Sequence, residues 1–248
     1  MDRHHFLKLN TLVGVGILCS PSLAFASKLQ EAFTRSQLLG KGNPDIVGDT
    51  YTSKMHKDAK AAFLKMKAAA KADGITIEVV SAYRSFQRQK EIFEGKYNRF
   101  TNQGMAPLDA IKKIIEYSTI PGTSRHHWGT DIDIIDGGVT PRPKSVLQPE
   151  LFHGKGVFCK LKDWLNEHAT SFGFYEVYTN NANRKGFKYE PWHFSYAPVS
   201  KPMLQAYKKL DVQQIILEEK IKGAVYFTPE FIAKYRSENI LDINPKLL

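Results

Sequence analysis

The chain has 248 residues, 42% of them hydrophobic and 12% aromatic, and a formal charge of +10. That apolar content excludes a disordered chain and supports one core, or one core with elaborations. The lysines are spread along the chain with no Arg-rich cluster and no nucleic-acid motif, so nucleic acid is not expected as a partner.

Residues 1–26 read as a signal peptide. Arg3 and Lys8 give a weakly basic start, Leu9 to Phe25 is largely apolar, and Ala24-Phe25-Ala26 has the small-x-small form of a cleavage site. Asn10, Ser20 and Pro21 interrupt the apolar run, so no stable membrane span is expected after cleavage. Export to the periplasm or the extracellular cell wall follows. There a basic protein is drawn to anionic polymers or lipid head groups. Cys19 follows Leu18 and does not read as a lipid acceptor. If Cys19 leaves with the signal, Cys159 stands alone, an intrachain disulfide is excluded, and Cys159 reads as a buried small hydrophobe.

A short helix is expected over 28–38, ended by Gly40, Gly42 and Pro44. Met55, Ala59, Ala62, Phe63, Met66 and Ala70 form the apolar stripe of a helix over 53–72, with lysines opposite. Ile75 to Ser81, rich in β-branched residues, is the clearest strand. Ser85 caps a helix over 86–95 that Gly95 is expected to end, leaving 96–106 as a loop. Arg84 then sits at a strand-to-helix junction, where its side chain can reach a cleft.

Pro107 opens a helix to about 117, and Pro121-Gly122 turns the chain toward a strand at 130–135. Residues 137–149, with two glycines and three prolines, read as a long connection or lid. A helix over 157–168, a strand over 172–178, a polar hairpin-like segment over 179–188 and a short strand over 194–196 follow. Beyond Pro198 the sequence reads as helices over 201–222 and 228–237. Helices and strands mix without a βαβ repeat, which favours α+β. The expected organisation is a signal peptide (1–26), a catalytic domain (27–200) and a C-terminal helical extension packed on the core (201–248).

Metal-ligand residue types fall in two clusters, Ser124-Arg125-His126-His127-Trp128-Gly129-Thr130-Asp131-Ile132-Asp133 and Glu190-Pro191-Trp192-His193. Two histidines and a carboxylate suit a catalytic zinc that keeps one position open. A bend at Gly129, where positive φ or close backbone approach has a use, sets a loop histidine beside a strand aspartate. Asp131 and Asp133 share one face of a strand, and spacing alone does not choose between them as ligand. A turn at Pro191 brings Glu190 and His193 to one cleft, with Glu190 placed to move protons. Trp128, Trp192, Tyr83 and Tyr196 read equally as core or as cleft wall.

These residues resemble the zinc D,D- and L,D-carboxypeptidases of the VanY type, related to the VanX dipeptidases. The family's Ser-x-His-x-x-Gly-x-x-x-Asp runs from Ser124 to Asp133, and its Glu-x-x-His from Glu190 to His193. Its Ser-x-Tyr-Arg-Ser matches Ser81 to Ser85, followed by Gln89. The resemblance covers roughly residues 50–200. It implies His126, Asp133 and His193 as Zn²⁺ ligands, Glu190 as catalytic base and acid, and Arg84 as stabiliser of the reacting carbonyl or of a substrate carboxylate. Ser124, Tyr83, Gln89 and Trp192 become expected substrate-binding residues. The implied fold is α+β, with an antiparallel sheet carrying the zinc cleft and helices packed against it. The implied substrate is the D-amino-acid-containing stem peptide of peptidoglycan. Asp131 stands where the family often has alanine, and is expected to act behind the ligands. Two alternatives remain: an endopeptidase cutting within the stem or cross-bridge, and a non-catalytic wall-binding protein.

Overall fold

The structure, a computed structural model, describes residues 33–248. The expected signal peptide and the start of the 28–38 helix lie outside the described residues. From Phe33 onward the chain forms one compact unit.

Its centre is a four-stranded antiparallel sheet of β3 (Ile77–Ser81), β4 (Asp131–Asp136), β5 (Phe174–Glu176) and β6 (His193–Tyr196), in the order β3-β4-β6-β5. A two-stranded ribbon, β1 (Ile46–Val47) and β2 (Met55–His56), precedes it. The alternation of Asp131-Ile132-Asp133-Ile134 sorts β4 by face, because successive strand side chains point opposite ways. Ile132 and Ile134 meet Phe63 and Met66 of one helix (Lys57–Ala72) and Leu161 and Leu165 of another (Cys159–His168). Burying an aliphatic or aromatic side chain of this kind stabilises the fold by about 1.5–3 kcal/mol.

On the opposite face the register aligns polar groups. Asp133 pairs with Ser81 on one side and with His193 on the other, and Asp131 pairs with Ser195. A register shift between Val79 and Ser81 ends the regular pairing of β3 just before Ala82 to Arg84.

Several expected elements differ in extent. Met55–His56 is a strand, and the helix carrying the Met66 stripe starts at Lys57. The helix capped by Ser85 runs through Gly95 to Asn102, where a loop was expected. An interior glycine costs a helix about 1 kcal/mol relative to alanine. Fully buried Phe93, with Tyr97 and Phe100 packed on the core, outweighs that cost. The Pro107 helix stops at Ile114, and the expected 201–222 helix is two, Ala197–Tyr207 and Val212–Glu218. Asp211 restarts the second by accepting a hydrogen bond from the Gln214 amide at 2.9 Å. Cys159 is half-buried at the start of its helix, 3.7 Å from Asp163, and not a core residue.

The helices after residue 200 share one core with those at 86–114. Met203, Leu204, Ile215 and Tyr235 cluster with Phe93, Ile111 and Trp128. Among the described residues no helix is long and apolar enough to cross a membrane.

Candidate metal centre

The first cluster folds as a 3-10 turn, Arg125–Trp128, ended by Gly129 at φ +70°. A Cβ there would lie 2.3 Å from Ile46 Cδ1 and 2.8 Å from the His56 amide, so both positive φ and close approach require glycine. The turn sets His126 over β4. In the second cluster the His193 amide donates to Glu190 O at 3.1 Å, closing a turn through Pro191 that carries Glu190 beside His193.

His126, Asp133 and His193 converge, each offering one ligand atom within 4.8 Å of the others. His126 Nε2 lies 3.5 Å from Asp133 Oδ2, and His193 Nδ1 lies 3.9 Å from Asp133 Oδ1. Donors around a tetrahedral ion with bonds of about 2.0–2.2 Å sit roughly 3.4 Å apart, so the two His–Asp separations lie near those of a coordination shell. Glu190 Oε2 is 2.9 Å from His193 Nδ1.

The protonation pattern favours a cation. His126 Nδ1 lies 2.8 Å from Ala82 O, and a carbonyl only accepts, so Nδ1 carries the hydrogen and Nε2 presents its lone pair to the site. Burial, aided by the nearby charges of Arg84 and His193, holds His126 well below the usual histidine range and keeps it neutral. Burial pushes Asp133 up to about 6. Among the described residues its Oδ1 has no hydrogen-bond partner, a costly state for a buried carboxylate unless an ion or proton meets it. The residues therefore fit a zinc-sized divalent cation.

Asp131 is fully buried behind His193. It accepts from His193 Nε2 at 2.9 Å, Arg125 Nε at 2.9 Å, Ser195 Oγ at 2.6 Å and Thr130 Oγ1 at 2.9 Å. Burial opposes its ionisation, but Arg125 and His193 overcome this and hold the carboxyl below the usual range. Burial alone would lower His193; hydrogen bonds to Asp131 and Glu190, with the charge of Asp133, instead raise it to about 10. A cation at Nδ1 would replace that proton, leaving Nε2–H on Asp131. Arg125 occupies a variable position of the motif. It ion-pairs with Asp131 and stacks 4.9 Å over Trp128, and its only sequence signal was an opposite charge six residues away.

The trio lies on the wall of a cavity of about 520 Å³, a volume suited to a small ligand. Arg84, Ser124, Glu190 and Trp192 also line it, and Trp192 packs on Phe152 behind. Tyr83 and Gln89, expected to touch substrate, do not reach it. The Tyr83 hydroxyl donates to Gly40 O at 3.2 Å, and the ring borders a separate surface depression. Gln89 is fully buried and accepts from Arg84 Nη1 at 2.9 Å. Tyr178, missed in the sequence, lines the cavity and sets its ring edge-on to His193 at 5.1 Å.

Residues 52–199 match the VanY family, D-alanyl-D-alanine carboxypeptidase. An uncharacterised protein of Haemophilus influenzae is 36% identical over 106 residues, 42% of this chain and 81% of that protein. A D-alanyl-D-alanine carboxypeptidase of Enterococcus faecalis is 29% identical over 152 residues, covering 61% of this chain but only 49% of the enzyme's length. Two solved structures share the fold. A mutant of the vancomycin-resistance D,D-pentapeptidase VanY in complex with Zn(II) is 23% identical with a TM-score of 0.50, over 70% of this chain and 90% of that one. The LdcB LD-carboxypeptidase, described with the molecular basis of peptidoglycan recognition, is 25% identical with a TM-score of 0.51, over 76% and 79%. The matched stretch holds Arg84, the converging trio and Glu190 together, and the chain belongs to the VanY family of D-alanyl-D-alanine carboxypeptidases.

Proposed function

We propose that the chain is a zinc carboxypeptidase that removes the terminal D-amino acid from peptidoglycan stem peptides outside the cytoplasmic membrane. The observation that carries this reading is the convergence of His126, Asp133 and His193 beside Glu190 on one cavity wall. The Zn(II) bound by a VanY relative of the same fold, and the peptidoglycan recognition attributed to LdcB, support the metal and the substrate class. Residues 27–200 then form the catalytic domain and 201–248 its extension.

His126 Nε2, Asp133 and His193 Nδ1 would hold Zn²⁺, which when bound acidifies water to a pKa of roughly 7 and polarises a carbonyl. Glu190 takes a proton from the attacking water as its oxygen bonds to the scissile carbonyl carbon. It then returns that proton to the amine nitrogen as the C–N bond breaks. Arg84, whose Nε is buried without a partner among the described residues, binds the reacting carbonyl or the terminal carboxylate. Ser124 and Trp192 bound the substrate, and Asp131 keeps His193 Nε2 protonated so that Nδ1 faces the ion.

The test is digestion of defined tetra- and pentapeptide muropeptides, read by mass. Loss of one C-terminal residue, dependent on zinc and on Glu190, is expected. Release of internal fragments alone would replace the carboxypeptidase reading with an endopeptidase. Turnover unchanged by Glu190→Ala would reject the mechanism.

A further inference from the structure

The family match ends at residue 199, yet the chain beyond it bonds to the segment that follows Thr119, a residue of the cavity lining. The Tyr235 hydroxyl accepts from the Ile120 amide at 3.2 Å and lies 2.9 Å from Thr123 Oγ1. Thr123 gives its one hydroxyl proton to Ile120 O at 2.7 Å, so Tyr235 is the donor in their contact. Adjacent to Ile120, Thr119 O accepts from Gln89 Nε2 at 2.7 Å, and Gln89 Oε1 accepts from Arg84 Nη1 at 2.9 Å. Tyr235 and Gln89 are buried, and Thr119 lines the cavity. The segment so held has no regular secondary structure of its own between the Pro107 helix and the 125–128 turn, so its position depends on such bonds. Among the described residues Arg84 has one other side-chain partner, Ser81 Oγ at 3.0 Å from Nη2.

We propose that Tyr235 is a positioning residue for substrate binding, holding the 119–123 segment behind the cavity so that Thr119 and Gln89 fix the Arg84 guanidinium in it. This rests on the reading of Arg84 as a substrate-binding residue. Tyr207, whose hydroxyl donates to Gly122 O at 2.9 Å, is the internal control: it grips the same segment but lies off the path through Thr119 and Gln89.

The experiment measures kcat, KM, zinc content and thermal midpoint of the full chain on one defined stem peptide. Tyr235→Phe keeps the ring and removes the hydroxyl. The expected result is a KM raised about three- to tenfold, the worth of one ordinary hydrogen bond, with kcat within about twofold and zinc content unchanged. Tyr207→Phe is expected to lower the thermal midpoint but leave KM within about twofold. Should Tyr235→Phe fail to fold, Thr123→Val removes the same contact from the other side and carries the same expectation. An unchanged KM in the folded variant, or equal KM shifts in the Tyr235 and Tyr207 variants, overturns the inference and leaves a structural role. Arg84→Lys separates the two levels. If it leaves KM unchanged, the Arg84 reading itself fails and the inference falls with it; if it raises KM while Tyr235→Phe does not, the inference alone fails.

Discussion

The two faces of β4 are built from one six-residue strand and obey opposite rules. Ile132 and Ile134 are fully buried among side chains whose only requirement is to exclude water and fill space. Asp131 and Asp133 are as deeply buried on the other face, where every charge requires a partner. Asp131 has four hydrogen-bonding neighbours; Asp133 leaves Oδ1 with none. The apolar face is complete as folded, whereas the polar face keeps one carboxylate oxygen that an ion or a proton would satisfy, and that asymmetry separates the two faces of the strand.

The comparison can be broken most sharply at adjacent residues. Asp133→Asn keeps the shape and removes the charge. Stem-peptide turnover is expected to fall about a hundredfold or more with loss of bound zinc, while the metal-free protein keeps or gains stability because the orphaned carboxylate is gone. Ile134→Ala is expected to do the reverse: a loss of about 2–4 kcal/mol in denaturant unfolding, with one zinc still bound by the folded fraction. Equal stability losses from both substitutions would erase the distinction between the faces.

A smaller effect tests the carboxylate behind the site. Asp131→Asn weakens the acceptor of His193 Nε2, and zinc affinity by competitive chelation is expected to drop about 10- to 100-fold. An unchanged affinity would mean that Asp131 serves the buried network of Arg125, Thr130 and Ser195 and not the metal site.

Protons sharpen the comparison further. In the metal-free protein Asp133 is raised from 3.8 to about 6 and His193 from 6.5 to about 10. Near pH 7.5 Asp133 is therefore ionised and His193 charged. Zinc binding is expected to release close to one proton, read by calorimetry in buffers of different ionisation enthalpy; affinity should fall as pH drops below about 10 and fall more steeply below about 6. For stability without metal, both folded-state values exceed the unfolded ones. The Asp133 contribution is complete below 3.8 and lost as pH rises through about 6; that of His193 is complete below 6.5 and lost through about 10. Asp133→Asn is expected to flatten the lower window of the thermal midpoint against pH.

Much of this was legible because local pattern and tertiary demand agree. β-Branched residues before Ser81, the Met66 stripe and the alternation in β4 each mark both an element and its buried side. Legibility failed where distant contacts decide. Gly95 reads as a helix end, but Phe93, Tyr97 and Phe100 need the helix to continue onto the core. Spacing alone did not separate Asp131 from Asp133, because the difference lies in register: one faces Ser195 across the ladder and the other His193. Gln89 and Tyr83 sit in or beside the right motif, yet Gln89 turns into the interior and Tyr83 borders a different depression, and no local pattern announces Tyr235, which meets Thr123 across 112 residues of sequence.

The central claim is that His126, Asp133 and His193 hold one zinc and Glu190 moves the protons. Titrating the metal-free protein with zinc while following stem-peptide hydrolysis tests it most directly. Activity should rise to a plateau at one equivalent, and Glu190→Ala should bind the same single equivalent with turnover reduced about 10²- to 10⁴-fold. Hydrolysis that needs no zinc, or a Glu190→Ala protein that turns over at the unsubstituted rate, would contradict the account.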